Sequence, residues 1–477
     1  MQQKITIFLF FFVIKLFTAA VSVPHFFSDN MVLQRDAKIP VWGFADPNEK
    51  ITVAFKNKIK TAVADASGNW KVILNEEKFG GPFEMKISGS NQIIIKNILI
   101  GDVWLCSGQS NMEWNLARVD GYQTELIEQN FPLIRHLKIE RSINTLPQKN
   151  IEPTAWKIAN ASTIGDFSGV AYFFTKKMYQ ETKIPIGLIN SSWGGTNVET
   201  WIPREGFEIS EDFKAMISKM PEISLDSLVK FSNASKIAAL QKKHQINTLD
   251  FNEALYLKND FDDTKLPEIY QPKRWEDQGF EGLDGIVWLR KKVTLTQEDL
   301  SGNAQLFLSQ IDDEDITYFN GKQIGTNNSY DAERVYTVPQ NLLKVGENII
   351  VVKITDNGSG GGIWGEPEKL KLVTEKSSIS LTGNWKINVE KIFNRINENE
   401  FPSLAYNAMI APLVPFKVKG FLWYQGESNE DRAVEYNKSF PLLINSWREK
   451  FGKDLPFYFV QLATFETPGK NSNEGST

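Results

Sequence analysis

The chain is poor in the side chains that most often carry redox and metal chemistry: its 477 residues include one cysteine, Cys106, and three histidines. A single cysteine excludes an intrachain disulfide, a cysteine-rich zinc site and a CxxC redox pair, so the fold has to stand on packing. Positive charge is not in excess either. Lys and Arg number 53 against 58 Asp and Glu, a formal net charge of −5, which leaves no basic face for a phosphate backbone and makes nucleic acid an unexpected partner. Internal repeats and low-complexity tracts are absent from the sequence. What it does have is 42% hydrophobic and 12% aromatic residues, ample for cores in a chain long enough for two or three domains.

The first residues stand apart. Lys4 precedes an apolar run, Ile5–Ile14, then come Lys15 and the small residues Thr18, Ala19, Ala20 and Ser22 before Pro24. That order predicts a secretory signal peptide over residues 1–22, cut after Ala20 or Ser22. A membrane anchor is the alternative, disfavoured because the run falls short of the about 20 residues a span needs. The protein is thus expected to be exported, periplasmic or extracellular, without stable membrane insertion after cleavage.

Residues 23–95 read as short β segments (Ile51–Phe55, Trp70–Ile73, Phe83–Ile87, Ile93–Ile95) between turn residues, which predicts an amino-terminal antiparallel β-sandwich. From about Leu99 buried apolar strands alternate with amphipathic helices, the form of a parallel sheet covered on both faces. The strand candidates are Ile100–Leu105, Ile134–Ile139, Ile186–Ile189, Val418–Tyr424 and Phe457–Leu462. Phe167, Val170, Ala171, Phe174 and Met178 share one helical face, as do Phe440, Leu443, Ile444, Trp447 and Phe451. This α/β pattern occupies 96–205 and 397–477. Residues 206–396 interrupt it with a charged helical segment and further β runs, including an Asn320–Gly321 hairpin signal, and read as an insertion in a loop.

Three polar, glycine-bearing stretches follow predicted parallel strands, where open α/β sheets place their ligands. In Cys106–Trp114, Ser110 is either a nucleophile or the cap of a helix Asn111–Leu116. In Asn190–Thr196, Gly194 and Gly195 either offer N–H groups to an oxyanion or form a plain turn. In Trp423–Asn429, Gln425 can donate an amide hydrogen bond and Glu427 is a carboxylate. Trp104, Trp114, Trp193, Trp201 and Trp423 serve either as sugar-stacking surfaces or as core. The glycine-rich Gly358–Gly365 reads as a turn more readily than as a loop reaching the crevice.

Taken together, GQSNMEW, SSWGGTNVETW and FLWYQGESN, with AYNAMIAPLVPF in support, resemble the successive blocks of the sialate O-acetylesterase family in the SGNH hydrolase superfamily. The resemblance implies an SGNH-type doubly wound parallel sheet with the amino-terminal β-sandwich and an inserted jelly roll of the galactose-binding-like type. It implies a serine esterase that removes O-acetyl groups from carbohydrates, O-acetylated sialic acid foremost, through an acetyl-serine intermediate and without metal or organic cofactor. By position, Ser110 would be the nucleophile; the main-chain N–H of Ser110, an N–H at Gly194 or Gly195 and the amide of Gln425 or Asn429 would hold the oxyanion. Glu427 would orient or act as base, and Asn111, Trp193 and Asn429 would line the substrate.

One part of the family pattern is missing. The base in this superfamily is a histidine in an Asp-x-x-His block, and His25, His136 and His244 lie in no loop after a parallel strand. The expectation is a chain truncated at its carboxyl end, with that block beyond Thr477. Two rivals remain: an esterase for acetylated xylan or pectin, and a catalytically inactive carbohydrate-binding protein.

Overall fold

The computed structural model describes residues 20–128, 131–218, 220, 222–244, 251–358, 360–393 and 396–462; most of the predicted signal peptide lies outside them. The chain forms two compact units, one of residues 1–225 with 397–477 and one of residues 226–396.

The first unit is organised by the 17-residue strand Gln92–Gly108. Its second half runs parallel to Ile186–Ser192 on one side and Gly420–Tyr424 on the other. Phe131–Lys138 pairs with Ile186–Ser192 and Phe457–Phe459 with Gly420–Tyr424, both in parallel. The chain first lays Phe131–Lys138 two places out on one side, fills the gap with Ile186–Ser192 and then crosses to the other side of the central strand. The central strand's carboxyl end is therefore the topological switch point, where such sheets open a crevice.

Alternation puts Trp104, Cys106, Leu188 and Leu422 in one cluster, with Ala171, Val170 and Phe174 of the helix Gly169–Thr182 against them. On the opposite face Phe421 and Trp423 meet Trp447 of the helix Ala433–Phe451 edge to face, at 5.5 and 5.8 Å between centroids. Both faces are covered, which is why these strands read as unbroken apolar runs. The first helix begins later than its apolar stripe suggested. Phe167 precedes it, and Ser168 caps it by accepting from the Ala171 N–H at 3.3 Å.

The boundary expected at residue 95 falls inside the central strand. Its first half pairs antiparallel with Gly80–Ser88, so the amino-terminal strands continue into the same ten-stranded sheet. Only Ile39–Phe44 and Asn69–Leu74 form a separate two-stranded ribbon. Residues 206–225, expected in the insertion, cluster with the first unit. The first unit also incorporates the edge of the predicted signal: Val21 is buried, and Ser22 exchanges both backbone hydrogen bonds with Phe44 at 2.9 Å. No helix among the described residues is long and apolar enough to cross a membrane.

The second unit has antiparallel sheets of six and five strands around one apolar core. The hairpin joining Glu314–Phe319 to Lys322–Asn327 turns at Asn320 (φ 48°) and Gly321 (φ 76°), the paired left-handed conformation for which Asn-Gly is favoured. Within Gly358–Gly365, Ile363–Trp364 is a short strand and Gly361 is packed, since a β-carbon on it would stand 1.8 Å from the Trp275 ring.

Beside that segment Asp356 is fully buried, with Oδ1 accepting the Gly358 N–H at 2.7 Å and Oδ2 without a partner among the described residues. Burial pushes its carboxyl up to about 8 and that of Glu276 up to about 7, with Asp284 adding to both and Asp312 to Asp356. A carboxyl whose pKa is higher folded than unfolded contributes stability below the unfolded value, near 4, and loses it as pH rises to the folded value. Stability should therefore fall between about pH 4 and 8, and Asp356→Asn should raise it at pH 8 by about 2 kcal/mol while flattening that slope. Thermal unfolding of both chains from pH 5 to 8 measures this; an unchanged slope would contradict it.

Candidate active site

The three loops predicted from the sequence converge at the switch point. Gly108 ends the central strand at φ 141°, and a β-carbon there would stand 2.0 Å from the Tyr424 carbonyl oxygen. The helix Ser110–Glu113 starts at once, with Gln109 rather than Ser110 at its N-cap position. The Ser110 hydroxyl is thus no cap. The residue is exposed, and among the described residues its Oγ has no hydrogen-bond partner.

The first loop is tied to the third by Gln109, whose Oε1 accepts the N–H groups of Gly426 and Ser428, both at 3.2 Å. Asn111 Nδ2 donates to Glu427 Oε1 at 2.6 Å, so Glu427 orients the residue after the serine. It is tied to the second by Glu113, whose Oε2 accepts the Gly194 N–H at 2.9 Å, while Arg141 Nε donates to Glu113 Oε1 at 2.8 Å. The place a β-carbon would occupy on Gly194 is 3.3 Å from Ser110 Cβ. That close approach needs a glycine.

The second and third loops are joined by buried amides. Gln425 Nε2 donates to the Thr196 carbonyl at 3.0 Å and to Asn429 Oδ1 at 2.7 Å. Asn429 Oδ1 also accepts the Val198 N–H at 2.9 Å, and its Nδ2 donates to the Glu199 carboxylate at 3.0 Å. Arg432 completes the group, 2.8 Å from Glu199 Oε1.

This geometry revises the expected roles. The amides of Gln425 and Asn429 are spent on the scaffold, so neither points a free N–H at Ser110, and Asn429, 1% exposed, lines no substrate. The Gly194 N–H is likewise engaged. The N–H groups of Ser110 and Gly195 have no partner among the described residues. Trp193 is half-buried under the Arg141 guanidinium, 5.7 Å away, and Asn111 is exposed. Trp104, Trp201 and Trp423 are core, whereas Trp114 is 46% exposed. Glu113, Arg141, Glu199 and Arg432 were missed. Glu113 stands three residues after the serine, one helical turn on, and Arg141 follows the strand Phe131–Lys138 as the other site residues follow theirs.

The histidines sit elsewhere. His25 Nδ1 is 2.8 Å from the Ile151 carbonyl. His136 is buried, stacked on Phe167 at 4.3 Å, and burial pushes it down to about 3. The side chain of His244 lies outside the described residues.

A serine presented at the switch point of a doubly wound sheet, with a glycine loop against it, defines the class of site. A family model for carbohydrate esterases, sialic acid-specific acetylesterase, matches residues 100–237 and 388–475, the two stretches that build the crevice. The chain is 32% identical to human (Homo sapiens) sialate O-acetylesterase over 199 residues, 37% of this chain and 38% of that one. It is also 32% identical to the mouse (Mus musculus) sialate O-acetylesterase over 197 residues, 36% of each chain. The matched stretch thus spans little more than a third of these relatives. In fold, the chain is similar over 95% of its length to a carbohydrate acetylesterase from Xanthomonas citri, at TM-score 0.54 and 24% identity, covering 62% of that chain. The crevice-forming part of the chain is thus similar to the sialic acid-specific acetylesterases among carbohydrate esterases.

The amide hub yields a stability prediction. Asn429→Ala strips partners from Val198, Gln425 and Glu199 at once and should cost about 2–4 kcal/mol, since each buried polar group left unpaired is worth about 1–3 kcal/mol. Urea unfolding checks it; a loss well under 1 kcal/mol would show that the loops are held by something else.

Proposed function

We propose that the protein is a serine esterase that removes O-acetyl groups from carbohydrates, O-acetylated sialic acids foremost, through an acetyl-serine intermediate. The observation that carries this is Ser110, exposed at the switch point, without a partner among the described residues and with the glycine loop against its β-carbon. Ser110 Oγ attacks the ester carbonyl and the sugar oxygen leaves as the alcohol; water then releases acetate. The oxyanion is held by the N–H groups of Ser110 and Gly195, donors of a kind typically worth about 2.7–4 kcal/mol each. Glu113 and Arg141 hold the glycine loop in place, and Glu427 holds Asn111. His25 and His136, occupied as described, do not take the serine proton. In this reading residues 226–396 form a galactose-binding-like jelly roll.

A second reading, a carbohydrate-binding protein without turnover, is favoured by one fact: among the described residues no base contacts Ser110 Oγ. Acetate release separates the two. The chain should release acetate from O-acetylated sialosides faster than from acetylated xylan or pectin, and Ser110→Ala should lose about 10³-fold or more without change in thermal midpoint. Intact mass should show one acetyl group on the wild-type chain only. Sugar binding without acetate release would favour the binding protein.

Export is part of the proposal. Because Val21 is buried and Ser22 is paired with Phe44, cleavage after Ala20 preserves the fold's first contacts while cleavage after Ser22 removes them. Amino-terminal sequencing of exported protein should begin at Val21; a start at Val23 would refute the choice.

A further inference from the structure

The ribbon Ile39–Phe44 with Asn69–Leu74 borders an open pocket of about 350 Å³ in the first unit, lined by none of the crevice residues. The ribbon lies outside the stretches that the esterase family model matches, whereas Gln148, Lys149, Pro412 and Pro415 on the facing wall lie within them. Trp42 and Lys71 are direct cross-strand partners and so share one face of the ribbon. Phe26 and Phe27 hold the Trp42 ring at 5.4 and 4.8 Å between centroids, leaving it half-buried. Its indole N–H donates to no group among the described residues, and Lys71 is exposed without an ion pair among them.

The rim adds further free groups. Among the described residues Gln148 Oε1 has no partner, its Nε2 donating to the Leu146 carbonyl at 2.8 Å, and Lys149, which also acts on the Asp65 charge, gives one hydrogen bond, to Asn69 Oδ1 at 3.0 Å. The one carboxylate present, Asp65, already accepts from the Ser67 and Asn69 N–H groups at 2.8 and 2.9 Å. Pro412 and Pro415 form a stiff apolar wall. A fixed aromatic face, an apolar wall, unspent donors and an excess of lysine suit a flat-faced, polyhydroxylated anion. The volume sits at the lower end of the roughly 300–1,000 Å³ of small-molecule sites, enough for one sugar unit.

We propose that this pocket is a second carbohydrate site, which takes a pyranose bearing a carboxylate, with an apolar sugar face on Trp42 and the carboxylate between Lys71 and Lys149. The proposal does not rest on the esterase reading, because it concerns binding without turnover.

Calorimetric titration of the full chain with N-acetylneuraminic acid and with glucuronic acid tests it. At least one should bind, and which one does names the acidic sugar; methyl galactoside should bind about fivefold more weakly or worse. Replacing both exposed lysines, Lys71→Ala with Lys149→Ala, should weaken the acidic sugar about fivefold or more while leaving the thermal midpoint and any acetate release unchanged. Trp42→Ala should weaken it about tenfold; because Trp42 also packs on Phe26 and Phe27, the lysine variant decides if Trp42→Ala unfolds. Failure of both acids to bind, or binding that the lysine replacements leave unaltered, overturns the proposal.

Discussion

Everything at the crevice depends on the register of one strand. Gly108 is opposite Ser192 on one side and Tyr424 on the other, so the loops carrying Ser110, the glycine pair and Gln425 all leave the sheet at the same level. From Ile98 to Gly108 every residue of the strand is buried. A slip of one position would exchange the face carrying Trp104 and Cys106 with the face carrying Val103 and Leu105, both of which are packed, so the register is held by burial on both sides. The absence of a side chain at Gly108 lets the third loop close over the strand end, and the Gln109 N–H takes the Tyr424 carbonyl at 2.9 Å.

Above that floor the loops are held by polar groups rather than by apolar contact, which is costly unless each is paired. The Glu199 carboxylate is nearly buried and is met by Asn429 and Arg432; the Glu113 carboxylate is met by Arg141 and the Gly194 N–H. Two oxygens on the third loop have no partner among the described residues, Gln425 Oε1 and Glu427 Oε2. Each orphan of this kind costs about 1–3 kcal/mol. That two such groups stand on a single loop, beside the serine, marks a place where the sequence is not tuned for stability alone.

The sheet was legible because burial on two faces writes itself as continuous apolar runs, and the helices because Ala433–Phe451 and Gly169–Thr182 carry one-sided stripes. The boundary at residue 95 was not, since a strand that leaves an antiparallel neighbour for parallel ones shows no break in its own sequence: Ile93–Ile95 and Ile98–Ile100 look alike. Among site residues, the three loops could be found from their glycines and their positions after strands. The direction of an amide could not. Gln425 and Asn429 are the right type for oxyanion donors, and only the folded chain shows that the Gln425 amide donates to the Thr196 carbonyl and Asn429 Oδ1 and the Asn429 amide to Glu199. The Glu113–Arg141 pair joins residues 28 apart in sequence, and nothing local to either residue announces the other.

These pairings also sort what the crevice can contribute to chemistry. Among the described residues Ser110 Oγ meets no hydrogen-bond acceptor, and a hydroxyl without one has the reactivity of an ordinary alcohol, so what these residues give Ser110 is access. An N–H already bound to a carboxylate cannot polarise a carbonyl, which takes Gly194 out of the donor set and leaves it a steric part: it makes room beside the serine. Gly195, exposed and with open space where a side chain would stand, keeps its N–H for a ligand. In the proposed reaction the adjacent glycines divide the work, the first admitting the serine and the second facing the oxygen on which charge develops. Glu113 is the residue that enforces the division, because its carboxylate fixes the first N–H and thereby the orientation of the peptide that carries the second.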